Sequence, residues 1–406
     1  MESLTKGDIG ELLISNFFDE NFSKIYSFQS PKAHDKAEIA DVLIWLNRTA
    51  FLIEVKTRDT DEGTASIESW AHARIKKASE QINRNFKKIK SNEKINLKNE
   101  YYHTQLDCDG LVQTMGLIIL VSDKECIINP TQYLPELYNS EIPIHVFMWN
   151  DLKLMIEEID TVPDFIYYLK DRLDYLKISN IPTGIELDIL GYYKSKSNKF
   201  PDGTFDFTNQ WDNYKKIMQS HIIIRNEHNL YSSSIDKLQN KFVSQRKLLE
   251  KIPLGMYFAW ELGNLSRREK AYYGEKIHSV FEWFLKEKNP RKFSFQSGST
   301  QNWLLFHFYK TSTKISQNEL ERLCELKLIK EIHFNSFEYG IYGFSFEVSD
   351  NYPYHIQNID SAILMGVDAI HDIYNEESIK EAIKEFGDEK SYSKISIQEF
   401  INLEGE

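Results

Sequence analysis

The chain has 406 residues, enough for two domains with full cores, and its 41% hydrophobic and 27% charged content is that of a globular protein. No apolar run approaches membrane-spanning length, and Met1-Glu2-Ser3-Leu4-Thr5 lacks the shape of a secretory signal, so a cytoplasmic protein with no membrane partner is expected. The net charge of −12 excludes a general affinity for nucleic acid, but residues 1–100 hold sixteen basic and sixteen acidic side chains, so the whole deficit lies in the rest of the chain. Cys108, Cys126 and Cys324 are too few and too scattered for a disulfide framework or a zinc site and read as free thiols.

The first predicted element is an amphipathic helix whose apolar residues are Ile9, Leu12, Leu13, Phe17 and, near its end, Phe22. Thr5 is placed to cap it, with Asp8 three residues on in the position of the usual capping-box glutamate. Glu11 lies beside the apolar stripe.

Two apolar stretches follow, Val42–Leu46 and Ala50–Ile53, separated by Asn47-Arg48-Thr49, and they predict a β-hairpin with Asn47 in the turn. Asp41 opens the first strand and Glu54-Val55-Lys56 closes the second. Alternation sends Glu54 and Lys56 to one face and Val55 to the core. Two carboxylates and one ammonium would then converge at one end of the hairpin. Magnesium takes one or two carboxylates in a hard-oxygen shell completed by water and substrate phosphate. A metal so held lowers the pKa of a bound water and steadies charge on the phosphoryl oxygens. A lysine beside it orients or helps deprotonate that water. Asp41 and Glu54 are the expected ligands, and Lys56 the partner of the attacking water.

Next comes the clearest charge signal. From Arg74 to Lys98 there are nine basic residues (Arg74, Lys76, Lys77, Arg84, Lys87, Lys88, Lys90, Lys94, Lys98) against Glu80 and Glu93 alone. Ile75, Ala78, Ile82, Phe86 and Ile89 form the buried stripe of a helix, leaving the charges outside. Such a helix beside a metal site suits phosphate contact, and Arg74, Lys77, Arg84, Lys87 and Lys88 are the expected DNA-binding residues. Gln81, one residue before Ile82, faces either the sheet or solvent. Ser91 to Asp109 is read as loop. Met115–Val121 and Pro143–Trp149 are read as buried strands, giving an α/β fold with a mixed sheet flanked by helices. Asp151 is placed to cap a helix from Leu152 to Ile159, and Val162–Leu176 forms another with Phe165, Leu169, Leu173 and Leu176 inward.

Ile178–Gly184 is the expected domain boundary, separating 1–178 from a C-terminal α+β domain at 185–406. That second part shows helical stretches at Asn209–His221, Ser234–Glu250, Ser266–Glu287, Gln317–Leu326 and Ser378–Phe386, and strands at Asn302–Phe308 and Tyr339–Val348. Its aromatics, among them Trp303, Phe306, Phe308, Phe337, Tyr342 and Phe344, are assigned to core packing. His307 and His355 are assigned structural roles. No phosphate loop, repeat or metal cluster is legible there, and its acidity suits a protein partner.

Ile39-Ala40-Asp41 and Ile53-Glu54-Val55-Lys56, preceded by Lys6-Gly7-Asp8-Ile9-Gly10-Glu11, resemble the PD-(D/E)xK, or restriction-endonuclease-like, nuclease superfamily. The motif is most similar to Mrr-type restriction endonucleases and archaeal Holliday-junction resolvases. Ala40 stands where the superfamily's proline would be, and the resemblance covers about the first 175 residues. It implies a restriction-endonuclease-like core and a Mg2+-dependent endonuclease acting on DNA, with Mn2+ as a substitute. It also implies metal contact by Glu11, directly or through water, and by the backbone carbonyl of Val55, with Gln81 supporting substrate or Lys56. A role in restriction or phage defence and a homodimer with two cutting sites are further expectations. The alternatives are a branched-DNA repair resolvase and a non-cleaving module that keeps the fold.

Overall fold

The computed structural model describes residues 5–46, 48–58, 66–100, 103–122, 137, 140–178, 185–244, 259, 261–287, 291–296, 302–309, 314–335, 340–348 and 356–386. Asn47, Cys126, residues 179–184, Phe337 and His355 lie outside them. The chain divides into two compact units, residues 1–225 and 226–406. Among the described residues no helix is long and apolar enough to cross a membrane.

The first unit is α/β, built on a five-stranded mixed sheet. Strands β1 (Ser27–Gln29), β3 (Val42–Leu46) and β4 (Thr49–Thr57) pair antiparallel, and β4 pairs parallel with β7 (Gln113–Val121), which pairs parallel with β8 (Ile144–Met148). The expected hairpin is present in register, with Val42 opposite Ile53 and Leu46 opposite Thr49. Its strands are buried almost throughout, because helices cover both faces.

Alternation along β4 sorts those faces. Phe51, Ile53 and Val55 face α1 (Lys6–Phe18): a Cβ added to Gly10 would stand 2.1 Å from Thr57 Oγ1, and Val55 Cγ1 is also close. Leu52, Glu54 and Lys56 face α2 (Ile67–Lys90): a Cβ on Gly116, which pairs with Leu52, would stand 2.9 Å from Ile82 Cγ2. Helix α1 starts with the expected reciprocal cap, Asp8 N–H donating to Thr5 Oγ1 and Thr5 N–H to Asp8 Oδ2. Its buried face differs from expectation. Ile9, Leu12 and Leu13 are 52, 40 and 43% exposed, while Gly10, Ile14, Phe17 and Phe18 turn inward. Both sets have helical spacing, and the side-chain-free Gly10 selects the second because it lets the helix press onto β4.

The segment expected as loop between Ser91 and Asp109 carries two short strands. Asn92 adopts φ 55° just beyond the end of α2, so the basic helix stops at Lys90. Strands β5 (Ile95–Lys98) and β6 (His103–Gln105) then join β2 (Lys32–Ala33) in an antiparallel three-stranded sheet. Asp151 is not a cap: helix α3 starts at Trp149, with Asp151 in its first turn, where burial, and then the charge of Glu186, push its carboxyl up to about 6.

The compact division falls at Arg225/Asn226 and not at 178–185. Helix α4 (Val162–Ile178) and helix α5 (Glu186–Ser195) are locked together by a buried network that no linear pattern announces. Arg172 Nε and Nη2 donate to the two oxygens of Glu186 at 2.8 and 2.7 Å, Tyr168 donates to Glu186 Oε1 at 2.7 Å, and Arg172 Nη1 lies 3.3 Å from His145 Nδ1. Since arginine only donates, His145 Nδ1 accepts, and burial holds the ring well below its ordinary pKa and neutral. Around this pair Tyr175, Phe200 and Phe207 pack ring on ring.

The second unit has a four-stranded sheet in the order Ile356–Met365, Ile341–Val348, Trp303–Tyr309, Arg291–Gln296, with only the central pair parallel. The helix Gln317–Asn335 joins that pair and packs Leu320, Cys324 and Ile329 against Trp303, Leu305 and Ile341. Phe306, Phe308 and Phe344 are fully buried and His307 sits 3.4 Å from Ser345 Oγ, so these aromatics are core and His307 is structural. The strands Arg291–Gln296 and Ile356–Met365 and the helix Glu186–Ser195 were not legible beforehand.

Candidate active site

Asp41 is the residue just before β3. Its N–H donates to the Ile53 carbonyl at 3.1 Å, which prolongs the ladder by one bond, and its Oδ2 accepts the Val55 N–H at 2.6 Å. A carboxylate thus takes the place of the backbone where β3 ends. Ile53 and Val55 turn their polar groups to the same edge, so the Val55 carbonyl points past the end of β3, beside Asp41.

Glu54, 2% exposed, projects towards α2 with Lys56. Lys56 Nζ donates to Glu54 Oε2 at 2.7 Å and lies 3.6 Å from Asp41 Oδ2. The three residues expected to converge are together. Burial, and then the charge of Asp41, push Glu54 up to about 7 although Lys56 pulls it down. Burial also raises Asp41, against the attraction of Lys56 and the Val55 N–H. One ammonium therefore serves two buried carboxylates, which leaves the cluster short of positive charge.

Glu11 belongs to the same electrostatic neighbourhood. Its carboxyl is pushed up to about 7 by burial, then by the charges of Asp41, Glu38 and Asp8, with Lys56 opposing. The Gly10 contact with β4 places it there. Yet among the described residues no three His, Cys, Asp or Glu side chains stand close enough to enclose a metal ion. The pair Asp41 and Glu54 could hold a hard divalent cation with the Val55 carbonyl, whereas Glu11 lies within reach of its field only.

Gln81 takes the sheet-facing option left open by its position. One turn on, Asn85 Nδ2 donates to the Ile39 carbonyl at 2.8 Å, two residues before Asp41, so this stripe of α2 runs along the strand entry. Gln81 Oε1 is buried and accepts no hydrogen bond. A buried carbonyl oxygen left so costs about 1–3 kcal/mol, which a cation, a donor or a water would recover.

The expected DNA-binding residues fare unevenly. Lys77 and Arg84 are exposed and Arg74 is half-buried. Lys88 is committed to Asp35 at 2.7 Å, and Lys87, with Lys90, stands 3.9 and 3.7 Å from Glu141. Glu38, whose charge acts on Glu11, Asp41 and Glu54 alike, was missed; its position three residues before Asp41 was the available signal.

Comparison with protein-family models, with curated proteins and with solved structures finds no match for this chain.

Proposed function

We propose that this chain is a divalent-metal-dependent deoxyribonuclease with a restriction-endonuclease-like core, hydrolysing phosphodiester bonds in DNA as an endonuclease. The observation that carries the reading is one lysine Nζ standing 2.7 and 3.6 Å from two buried carboxylates on paired strands. The donor chemistry fits a hard divalent metal: two buried carboxylates short of positive charge, with the Val55 carbonyl on the same edge of the strand. Bound Mg2+, or Mn2+ in its place, would supply a water of lowered pKa and stabilise charge on the phosphoryl oxygens.

The chain's own residues do the rest. Asp41 and Glu54 fix the position of the positive charge, Asp41 being itself fixed by the Val55 N–H. Lys56 Nζ, oriented by Glu54, donates a hydrogen bond that holds the attacking water in line, and the proton of that metal-acidified water leaves to solvent. Glu11 adds negative potential that draws the cation in. Lys77 and Arg84 contact phosphates on the flank. A second copy supplies a second cutting site for duplex cleavage, and a role in restriction or phage defence suits such an enzyme.

The test is incubation of the purified chain with supercoiled, linear and four-way-junction DNA, in Mg2+ or in chelator, beside Glu54→Ala and Lys56→Ala. Metal-dependent nicking or linearisation, lost in both variants, is the expected result. Preference for the junction would favour a resolvase. Binding without cleavage of any substrate would leave a non-cleaving module, and cleavage unchanged in both variants would refute the assignment of the site.

A further inference from the structure

The three-stranded sheet β2-β5-β6 has one face against the core and one in solvent. Ala33, Ile95 and Leu97 are buried, and the alternate positions Lys32, Lys94, Asn96, Lys98, His103 and Gln105 are exposed. Register aligns them in rows: Lys32 opposite Asn96, Asn96 opposite Gln105, and Lys98 opposite His103. Three lysines and two carboxamides therefore share one flat outward surface. Gln105 Nε2 donates to Asn96 Oδ1 at 3.3 Å, which leaves the amide donors of Asn96 for another acceptor.

Two features distinguish this surface from an ordinary charged one. Lys32, Lys94 and Lys98 make no ion pair among the described residues, whereas the lysines at the end of α2 are engaged by Asp35 and Glu141. Of the acidic groups nearby, Glu93 is half-buried, Glu100 is held by Lys24 and Asp107 turns to the Gly110 N–H, which leaves Glu38, exposed at the sheet edge beside Lys32, as the acidic end of the row. The surface also leads to the candidate site. Glu38 pairs with Lys32 through the backbone at the sheet edge, so the row Glu38, Lys32, Asn96, Gln105 starts at a residue whose charge acts on Asp41 and Glu54.

We propose that the outward face of β2-β5-β6 is a second contact surface for the sugar-phosphate backbone of duplex DNA, extending the footprint away from the cleavage site. Lysine and carboxamide side chains on a flat surface are what phosphate and sugar oxygens accept from, and such contacts position a duplex without reading its sequence. The inference rests on the nuclease reading only for taking DNA as the polyanion.

Binding is measured by fluorescence anisotropy of a labelled 30-base-pair duplex with the full chain in chelator, across a salt series. The variants are the triple Lys32→Ala/Lys94→Ala/Lys98→Ala and a charge-matched control, Lys153→Ala/Lys177→Ala/Lys215→Ala. Each phosphate contact adds about 0.9 to the slope of log affinity against log salt, so losing three lowers it by about 2.7 and weakens binding roughly a hundredfold at 0.15 M salt. The control triple leaves both unchanged. An unaltered slope in the first triple, an equal loss in the control, or no duplex binding by the unmodified chain would each overturn the proposal. Cleavage is scored separately with Mg2+. Binding that depends on the three lysines in a chain that never cuts would support this surface and refute the nuclease, and cutting with an unaltered slope would do the reverse.

Discussion

Replacing Glu54 by glutamine should make the metal-free protein more stable at pH 8 while abolishing the proposed metal-dependent cleavage. The reason is the cost of ionising Glu54 where it sits. An unfolded glutamate loses its proton near 4.5, but the folded one is pushed up to about 7 by burial and the neighbouring Asp41 charge. Between those values the folded state holds a proton that the unfolded state has released, so stability falls as pH rises through the window and is lowest above it. A shift of that size corresponds to about 3 kcal/mol. Glutamine keeps the shape and an acceptor for Lys56 Nζ, which retains Asp41 at 3.6 Å, but has no charge to desolvate. Urea unfolding in chelator, followed by tryptophan fluorescence and circular dichroism, measures this directly. Between pH 5 and pH 8 the unmodified chain should lose roughly 1 M more in midpoint than Glu54→Gln, taking an m-value of about 2–3 kcal/mol/M, because Glu11, also pushed up to about 7, adds to the pH slope of both. Mg2+ at about a hundred times its dissociation constant should return about 2.7 kcal/mol to the unmodified chain at pH 8 and little to the variant. An identical pH slope in both proteins, or a variant less stable than its parent at pH 8 in chelator, would refute the reasoning.

Arg172→Met leaves Glu186 buried without its partner and should cost about 3–5 kcal/mol, read as the urea midpoint, whereas Arg172→Met with Glu186→Leu should cost much less; a single variant within 1 kcal/mol of its parent would show that the pair is not a buried lock. Gly10→Ala drives a methyl group towards Thr57 Oγ1 and should destabilise by about 1–3 kcal/mol and lower metal-dependent cleavage by shifting Glu11. Thr57→Ala in the same chain should restore both, because that hydroxyl is buried without a hydrogen-bond partner; failure of the second change to rescue the first would mean that Gly10 matters for another reason.

The hairpin, and with it Asp41, Glu54 and Lys56, could be derived from the sequence because its physics is local. Strand alternation and a short connection place Glu54 and Lys56 on one face and Asp41 at the facing strand end without help from distant residues. The reciprocal cap between Thr5 and Asp8 is local in the same way, and so is the run of helix through Arg74 to Lys90. Tertiary structure decided the rest. Helix α1 carries two overlapping apolar stripes, and only the close approach of Gly10 to Thr57 chooses between them. The charge of α2 predicts lysines on its surface, yet Asp35 and Glu141, distant in sequence, determine which of them are already engaged. Short strands such as β2, β5 and β6 have too few residues to declare a period, and exist because each finds partners far along the chain. Glu11 likewise has a helical address in the sequence, but its pKa near 7 comes from burial and then from the charges of Asp41 and Glu38 across space. Local backbone preference wrote the hairpin of Asp41, Glu54 and Lys56 into the sequence; burial and long-range charge, which depend on what packs against what, decided how that hairpin is supported.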